Sequence, residues 1–375
     1  MSNFSMVRIE SASTVSIYPN YIPDFVTQAL DTLYGNLHAS LATLKLHSLG
    51  DASTYVKWRS PELQPESIFL FRKAGQTIRV INEGMRLSRE AIDDFCEYMF
   101  SHENDITQID FHAVTPPQEQ LSRPHLSWPC TEDIVVTLPT TELAYVNQLG
   151  KSTRKSIKKS LTRAQRLLPN FSHSVYAGSC VNEDLIREVV RFNHSRMAVK
   201  EKSSALNGQA TNELVTLMRT HGMVGLVASD QGLAAGTLAC RFGDDIFSII
   251  TAHDPRYDPF GLGTLSRHLM ILHCIQLGAK RFHLLGGNMS SKRSALGMRE
   301  ILNHLTIYRT PIDMLRHPLA TLQLAFNAAK YQLHRWLEDQ SAQAERTTIA
   351  RVINTLRLSA RAIRRWLSPR SSSLN

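Results

Sequence analysis

Five residues in the second half of the chain, Phe260-Gly261-Leu262-Gly263-Thr264, stand where a strand-like run hands over to a helix-spaced run. Glycine has no Cβ, so a ligand can approach the backbone at Gly261 and Gly263 closely. The helix that follows points free N–H groups and the positive end of its dipole at the same spot. Gly261, Leu262, Gly263 and Thr264 therefore suit a pyrophosphate, and they equally suit a plain glycine turn. Upstream lie His253 and Asp254, and His283 follows on the next strand. An imidazole with its ordinary pKa near about 6.5 can accept a proton at neutral pH. Asp254 can orient or deprotonate a substrate, although Asp-Pro also starts ordinary turns. Each histidine also fits a structural role. Lys292 and Arg293, after Gly286-Gly287, offer charge to a substrate or to phosphates. Lys155, Lys158 and Lys159 do the same from Gly150–Arg166, where seven residues are Lys or Arg.

The elements that must position these groups can be read from periodicity. Met223–Ala228, Ala234–Phe242 and Ile246–Ala252 read as a strand meander with turns at Asp230-Gln231-Gly232 and Gly243-Asp244-Asp245. The polar loop His253–Gly263 follows. Thr264–Leu277 has apolar residues at Leu265, Leu269, Leu272 and Ile275, and Gly278 ends it as a helix. Arg281–Leu285 is predicted as a strand and Ser290–Ile301 as a helix. Ile157, Leu161 and Ala164 give the basic segment a narrow apolar stripe, so it is an amphipathic helix. Its cations fit an anionic substrate, a membrane surface or a merely solvated face. Glu183–Arg196 and Asn212–Thr220 are further helices, with Lys200–Asn207 between them as a polar lid-like loop.

In the first half, Pro23–Leu49 has helical spacing, and Ser67–Phe71 with Thr77–Ile81 forms a hairpin. Ser88 caps a helix carrying Ile92, Phe95 and Met99 on one face. Gln108–Val114 and Ile134–Leu138 are strands, and Thr115–Pro129, with four prolines, is a loop. After Arg309, Leu319–Leu367 is rich in helix formers. There Arg357, Arg361, Arg364 and Arg365 share a face opposite Leu356, Ile363, Trp366 and Leu367, which suits a membrane surface or packing on the domain.

The chain has 375 residues, 43% of them hydrophobic, and a net charge of +9. That length holds two ordinary domains, and the charge favours an acidic partner: a CoA-type molecule, nucleic acid or an anionic membrane. The five cysteines are dispersed without C-x-x-C spacing, which excludes a disulfide framework and a zinc ribbon. No metal site is expected. Nothing reads as a secretory signal or a membrane span, so a cytoplasmic protein, peripheral on the inner membrane face at most, is expected. No Walker loop, H-E-x-x-H or nucleophile elbow occurs, and a covalent intermediate is not expected.

The order of motifs from Thr141 to Arg309 resembles the GNAT acyltransferases, in the branch of the cellulose-biosynthesis protein CelD and the FemAB-like transferases. The matching residues are Asp230-Gln231-Gly232, Asp254-Pro255-Arg256-Tyr257-Asp258, Gly261-Leu262-Gly263-Thr264-Leu265, Gly278-Ala279-Lys280-Arg281-Phe282-His283, Gly286-Gly287 and Ser291-Lys292-Arg293, with the basic helix from Leu149-Gly150-Lys151 upstream. His283 stands where that family usually has Asp, and Ser291 where it usually has Tyr. The resemblance implies an α/β (α+β) fold: a GNAT-like mixed sheet flanked by helices, in two GNAT-like halves with a C-terminal helical tail. The expected boundaries are 1–140, 141–310 and 311–375. It also implies acyl transfer from acyl-CoA (acetyl-CoA or longer) to a small-molecule, glycan or lipid-linked amine or hydroxyl, in envelope or exopolysaccharide synthesis. The alternatives are aminoacyl-tRNA as donor, and a non-catalytic binder of anionic surfaces or nucleic acid.

Overall fold

The structure, a computed structural model, describes residues 6–8, 13–44, 49–59, 64–199, 206–286, 292–316 and 318–343. The first half runs β1 (Met6–Arg8), β2 (Ser13–Tyr18), α1 (Phe25–Tyr34), α2 (Leu41–Leu44), β3 (Ser53–Arg59), β4 (Gln64–Ala74), β5 (Thr77–Val80), α3 (Arg89–His102) and β6 (Gln108–Val114). The chain then crosses on β7 (His125–Thr137) to α4 (Glu142–Gln148), α5 (Lys151–Leu167), β8 (Ser172–Ala177), α6 (Glu183–Val199) and α7 (Gly208–His221). The meander β9 (Gly222–Ser229), β10 (Gly232–Phe242) and β11 (Asp245–His253) leads through a 3-10 turn, Pro255–Phe260, into α8 (Leu262–Gln276) and β12 (Arg281–His283). β13 (Met298–Tyr308), α9 (Pro311–Arg316) and α10 (Pro318–Gln343) close the described chain.

All the described strands form one mixed sheet in the order β1-β2-β3-β4-β5-β6-β13-β7-β12-β11-β10-β9-β8. Each half repeats one plan: an antiparallel meander, a helix, then a strand parallel to the last of the meander. In the first half β5 and β6 are the parallel pair; in the second, β11 and β12 are. The halves exchange edges at the centre, because β13 pairs with β6 on one side and β7 on the other, while β7 also pairs with β12. Helices cover both faces. α3 buries Phe95 against Phe69 and Phe111, and α1 buries Val26 and Leu30 on the opposite side. α6 and α7 pack on one face of the second half, and α8 with α4 on the other. This is the mixed α/β, two-half architecture expected.

Four local expectations are corrected. Pro23–Leu49 is not one helix: Gly35 in the left-handed region, φ 51°, ends α1. β7 begins inside the predicted loop, and Pro129 is accommodated at a register shift, where no ladder N–H is required. β12 stops at His283 instead of Leu285, since Leu285 takes φ 58°. The helix predicted over Ser290–Ile301 is in its described part a short turn followed by β13. There, pairing with strands on both sides overrides a helical spacing. A Cβ on Gly297 would lie 2.6 Å from the Ile134 side chain, so the entry to β13 needs glycine. The calls on residues 200–205, on Gly287 and Ser291, and on the Arg357–Leu367 helix lie outside the described residues.

Candidate active site

β11 and β12 run parallel for three pairs, Asp245↔Arg281, Ile246↔Phe282 and Phe247↔His283, and then part. β11 continues to His253, held on its other side by β10 up to the pair Ala235↔His253. Beyond Phe247 its second edge has no strand partner among the described residues. A gap with free backbone groups therefore opens towards the start of α8.

Residues 253–264 build the mouth of that gap. Asp254 is buried; it accepts from Arg256 N at 2.9 Å and from the Arg256 guanidinium at 2.9 and 2.7 Å. Those Arg256 bonds hold its carboxyl below the usual range. Asp254 thus makes the turn. Gly261 sits at φ 69°, and a Cβ there would lie 2.9 Å from Ser160 Oγ of α5. Arg163 of α5 donates to the Pro259 carbonyl at 2.6 Å. α8 starts with no side-chain cap and no acid in its first turn. Its first amides, at Leu262, Gly263 and Thr264, have no carbonyl four residues back in the helix. A Cβ on Gly263 would lie 3.1 Å from His253 Nδ1, and His253 Nε2 is 2.7 Å from Asp258 Oδ1. The equivalent helix of the first half, α3, is closed to anions: Ser88 accepts from Ala91 N, and Glu90 lies in its first turn. Lys155, Lys158 and Lys159 stay on the solvent face of α5.

On the sheet beyond β12 lies a cleft of about 300 Å³, lined from both halves. His283 is only 2% exposed. Its Nδ1 lies 2.5 Å from Asp133 Oδ2 and its Nε2 3.4 Å from Asp245 Oδ2. Its ring stacks on Phe247 at 4.1 Å. Burial disfavours the charged ring, but Asp133 and Asp245 outweigh it, and the His283 pKa is raised. His283 therefore holds its proton more tightly than a free imidazole, with both ring nitrogens turned to carboxylates. Asp245 is also gripped by Arg281 at 2.5 Å, and Arg86 meets Glu300 at 2.7 Å across the halves. Asp133 Oδ1 is buried without a hydrogen-bond partner among the described residues.

Lys292 does not face open space. Its Nζ donates to the carbonyls of Leu284, Leu285 and Gly286 at 2.6, 2.7 and 2.8 Å, and burial draws its pKa down to about 8. It holds the end of β12 together, while Arg293 is exposed. So the structure brings Gly261–Thr264, His253 and α5 together, and places His283 one wall away. Sequence reasoning missed Asp133. An acid immediately before the apolar run Ile134–Val136 was the one available signal.

Residues 151–293 match the family described as Acetyltransferase (GNAT) domain. Comparison with curated proteins by sequence gives no match. Among solved structures, the crystal structure of FemX aligns with a TM-score of 0.58 at 10% identity, covering 79% of this chain and 98% of that one. The structure of L-PGS from Bacillus licheniformis aligns at 0.48 and 12% identity, covering 82% of this chain and 96% of that one.

Proposed function

We propose that the chain moves an acyl group from acyl-CoA to an amine or hydroxyl, a reading supported by the match of residues 151–293 to the GNAT domain family and by the fold shared with FemX. The acceptor is a small molecule, sugar or lipid-linked sugar of envelope or exopolysaccharide synthesis. The observation that carries this reading is the uncapped N-terminus of α8 at the mouth of the β11–β12 gap. Leu262, Gly263 and Thr264 would bind the pyrophosphate through backbone N–H groups. The free edge of β11 would offer an N–H to the thioester oxygen. The acceptor would enter the cleft, where Asp133 Oδ1 can receive its N–H or O–H. In this reading Asp133 takes the proton released as the acceptor attacks, and His283, hydrogen-bonded to Asp133, holds that carboxylate in place. Asp254 builds the turn, and His253, oriented by Asp258, walls the loop. Lys155, Lys158, Lys159 and Arg293 would guide anions by charge.

Calorimetry with acetyl-CoA and longer acyl-CoAs tests the donor. Saturable binding that Gly263→Val weakens supports the reading. The seven cations of Gly150–Arg166 also favour a second donor, aminoacyl-tRNA. If aminoacyl-tRNA binds and no acyl-CoA does, the acyl-CoA reading falls. If neither binds, the chain is a non-catalytic binder on this fold. The basic helices would also give peripheral contact with an anionic membrane, which vesicle flotation tests. Among the described residues, no helix is long and apolar enough to cross a membrane.

A further inference from the structure

α10 carries an apolar face that the fold leaves in water. Leu322, Phe326, Leu333 and Trp336 are 64, 70, 58 and 52% exposed. At 3.6 residues per turn they fall within about 80° of one another and make one stripe about 21 Å long. The sheet uses the opposite side of the helix. Ala328 is buried there, Tyr331 Oη donates to Glu132 Oε2 of β7 at 2.9 Å, and Asp339 meets Arg299 of β13 at 3.0 Å. α9, just before it, also exposes Ile312 and Leu315. A helix that packs one side and leaves large apolar side chains along the other has a second surface to meet.

The charge that follows α10 decides what covers the stripe. Residues 344–375 hold seven arginines and one acid, Glu345, which is most of the chain's net charge of +9. A second copy would cover the apolar side chains and leave those cations unmatched. An anionic bilayer matches both. Apolar side chains of a helix lying flat enter the boundary between headgroups and acyl chains. Arginines close by are drawn to the negative surface potential. Trp336 suits that boundary, because its ring is apolar and its N–H can meet water. Lys330, exposed on the same helix, can reach headgroups from a stem that lies along the apolar surface.

We propose that the Leu322–Trp336 face of α10 docks into the surface of an anionic bilayer, with the arginines of residues 344–375 supplying the attraction. This goes beyond charge contact by the basic helices, because the apolar side chains themselves leave water. Tyr331 ties this helix to Glu132, which lines the cleft, so the docking helix is braced on the cleft wall. Delivery of a lipid-linked acceptor to that cleft rests on the acyl-transfer reading; the docking does not.

The test uses the full chain with no donor or acceptor present, so its failure is separate from a failure of acyl transfer. Vesicles of phosphatidylcholine and phosphatidylglycerol at roughly three to one are compared with phosphatidylcholine alone. The chain should float with the anionic vesicles only. Leu322→Gln combined with Phe326→Gln, both at water-facing positions, should weaken that binding on the order of tenfold or more, with the melting temperature unchanged. Replacing Arg357, Arg361, Arg364 and Arg365 by Gln should weaken it as well. A bimane dye on Phe326→Cys, in a chain whose Cys130 and Cys180 are changed to Ser, reads the stripe directly. Its emission should be that of a dye in water and should move to the blue only when anionic vesicles are added. Vesicle binding that Leu322→Gln with Phe326→Gln leaves unchanged assigns the contact to charge alone and overturns the proposal. Blue emission without vesicles also overturns it. If that emission depends on protein concentration, the occupant is a second copy; if it does not, the occupant is the chain's own residues 344–375.

Discussion

Gly263 and His253 share a space with no room for a side chain, since a Cβ at 263 would press on Nδ1 at 3.1 Å. Gly263→Val is expected to displace the imidazole and cover the first amides of α8. Donor affinity by calorimetry should fall at least tenfold, about 1.4 kcal/mol, with the far-UV spectrum unchanged. His283 makes a different prediction. Its pKa is raised in the fold above an unfolded value of about 6.5. Its stabilising effect is thus complete below about pH 6.5 and is lost as pH rises through the folded value. Asp133 and Asp245 are held down, so their share is present above about pH 4 and lost as pH falls through their folded values. Removing the ring leaves Asp133 and Asp245 without the partner between them. His283→Gln should therefore cost roughly 3 kcal/mol in urea melts. The gap to the unmutated chain should be widest between about pH 4 and 6.5 and shrink above. A gap that grows with pH would reject the raised His283 pKa.

Among the elements, α5 combines two jobs. Ser160 and Arg163 brace the loop before α8, while Lys155, Lys158 and Lys159 lie on the exposed face. Reversing the three lysines to Glu should leave the melting temperature within a few degrees and weaken binding of the anionic donor. The slope of log affinity against log salt should flatten in the same titrations. An unchanged slope would reduce the helix to a solvated face. α10 is tied to the sheet by Arg299–Asp339 at 3.0 Å and Tyr331–Glu132 at 2.9 Å. Deleting Ile349–Asn375 should keep acyl transfer to a soluble acceptor, whereas cutting before Pro318 should lower stability by uncovering β7.

At the scale of the whole molecule, the central exchange of strands joins the two halves into one folding unit. β6 has β13 as its outer neighbour, and β13 comes from the far end of the chain. Residues 1–140 alone would leave β6 with an open edge and β7 without either partner. Such edges pair with other chains, so that fragment should aggregate in gel filtration. The full chain should unfold in a single urea transition, with tryptophan fluorescence and far-UV circular dichroism coinciding. Separate transitions would show that each half is stable by itself.

The sequence alone determined what is encoded within a dozen residues. The turns of the β9–β11 meander, the Ser88 cap, the basic face of α5 and the glycine loop before α8 were all legible. Each depends on local periodicity, capping or the absence of a Cβ. The tertiary structure decided what depends on register between distant strands. It set His283 against Asp133, 150 residues away in sequence, and so raised the pKa of a ring whose type alone gave no sign of that partner. It made a strand of Met298–Tyr308, because two flanking strands outweigh the preference of one segment. It also brought Glu83 and His112 of the first half to the cleft that His283 lines, although their spacing in sequence carries no motif. Side chains on neighbouring strands meet through backbone pairing, and single-chain periodicity carries no record of which strands will pair.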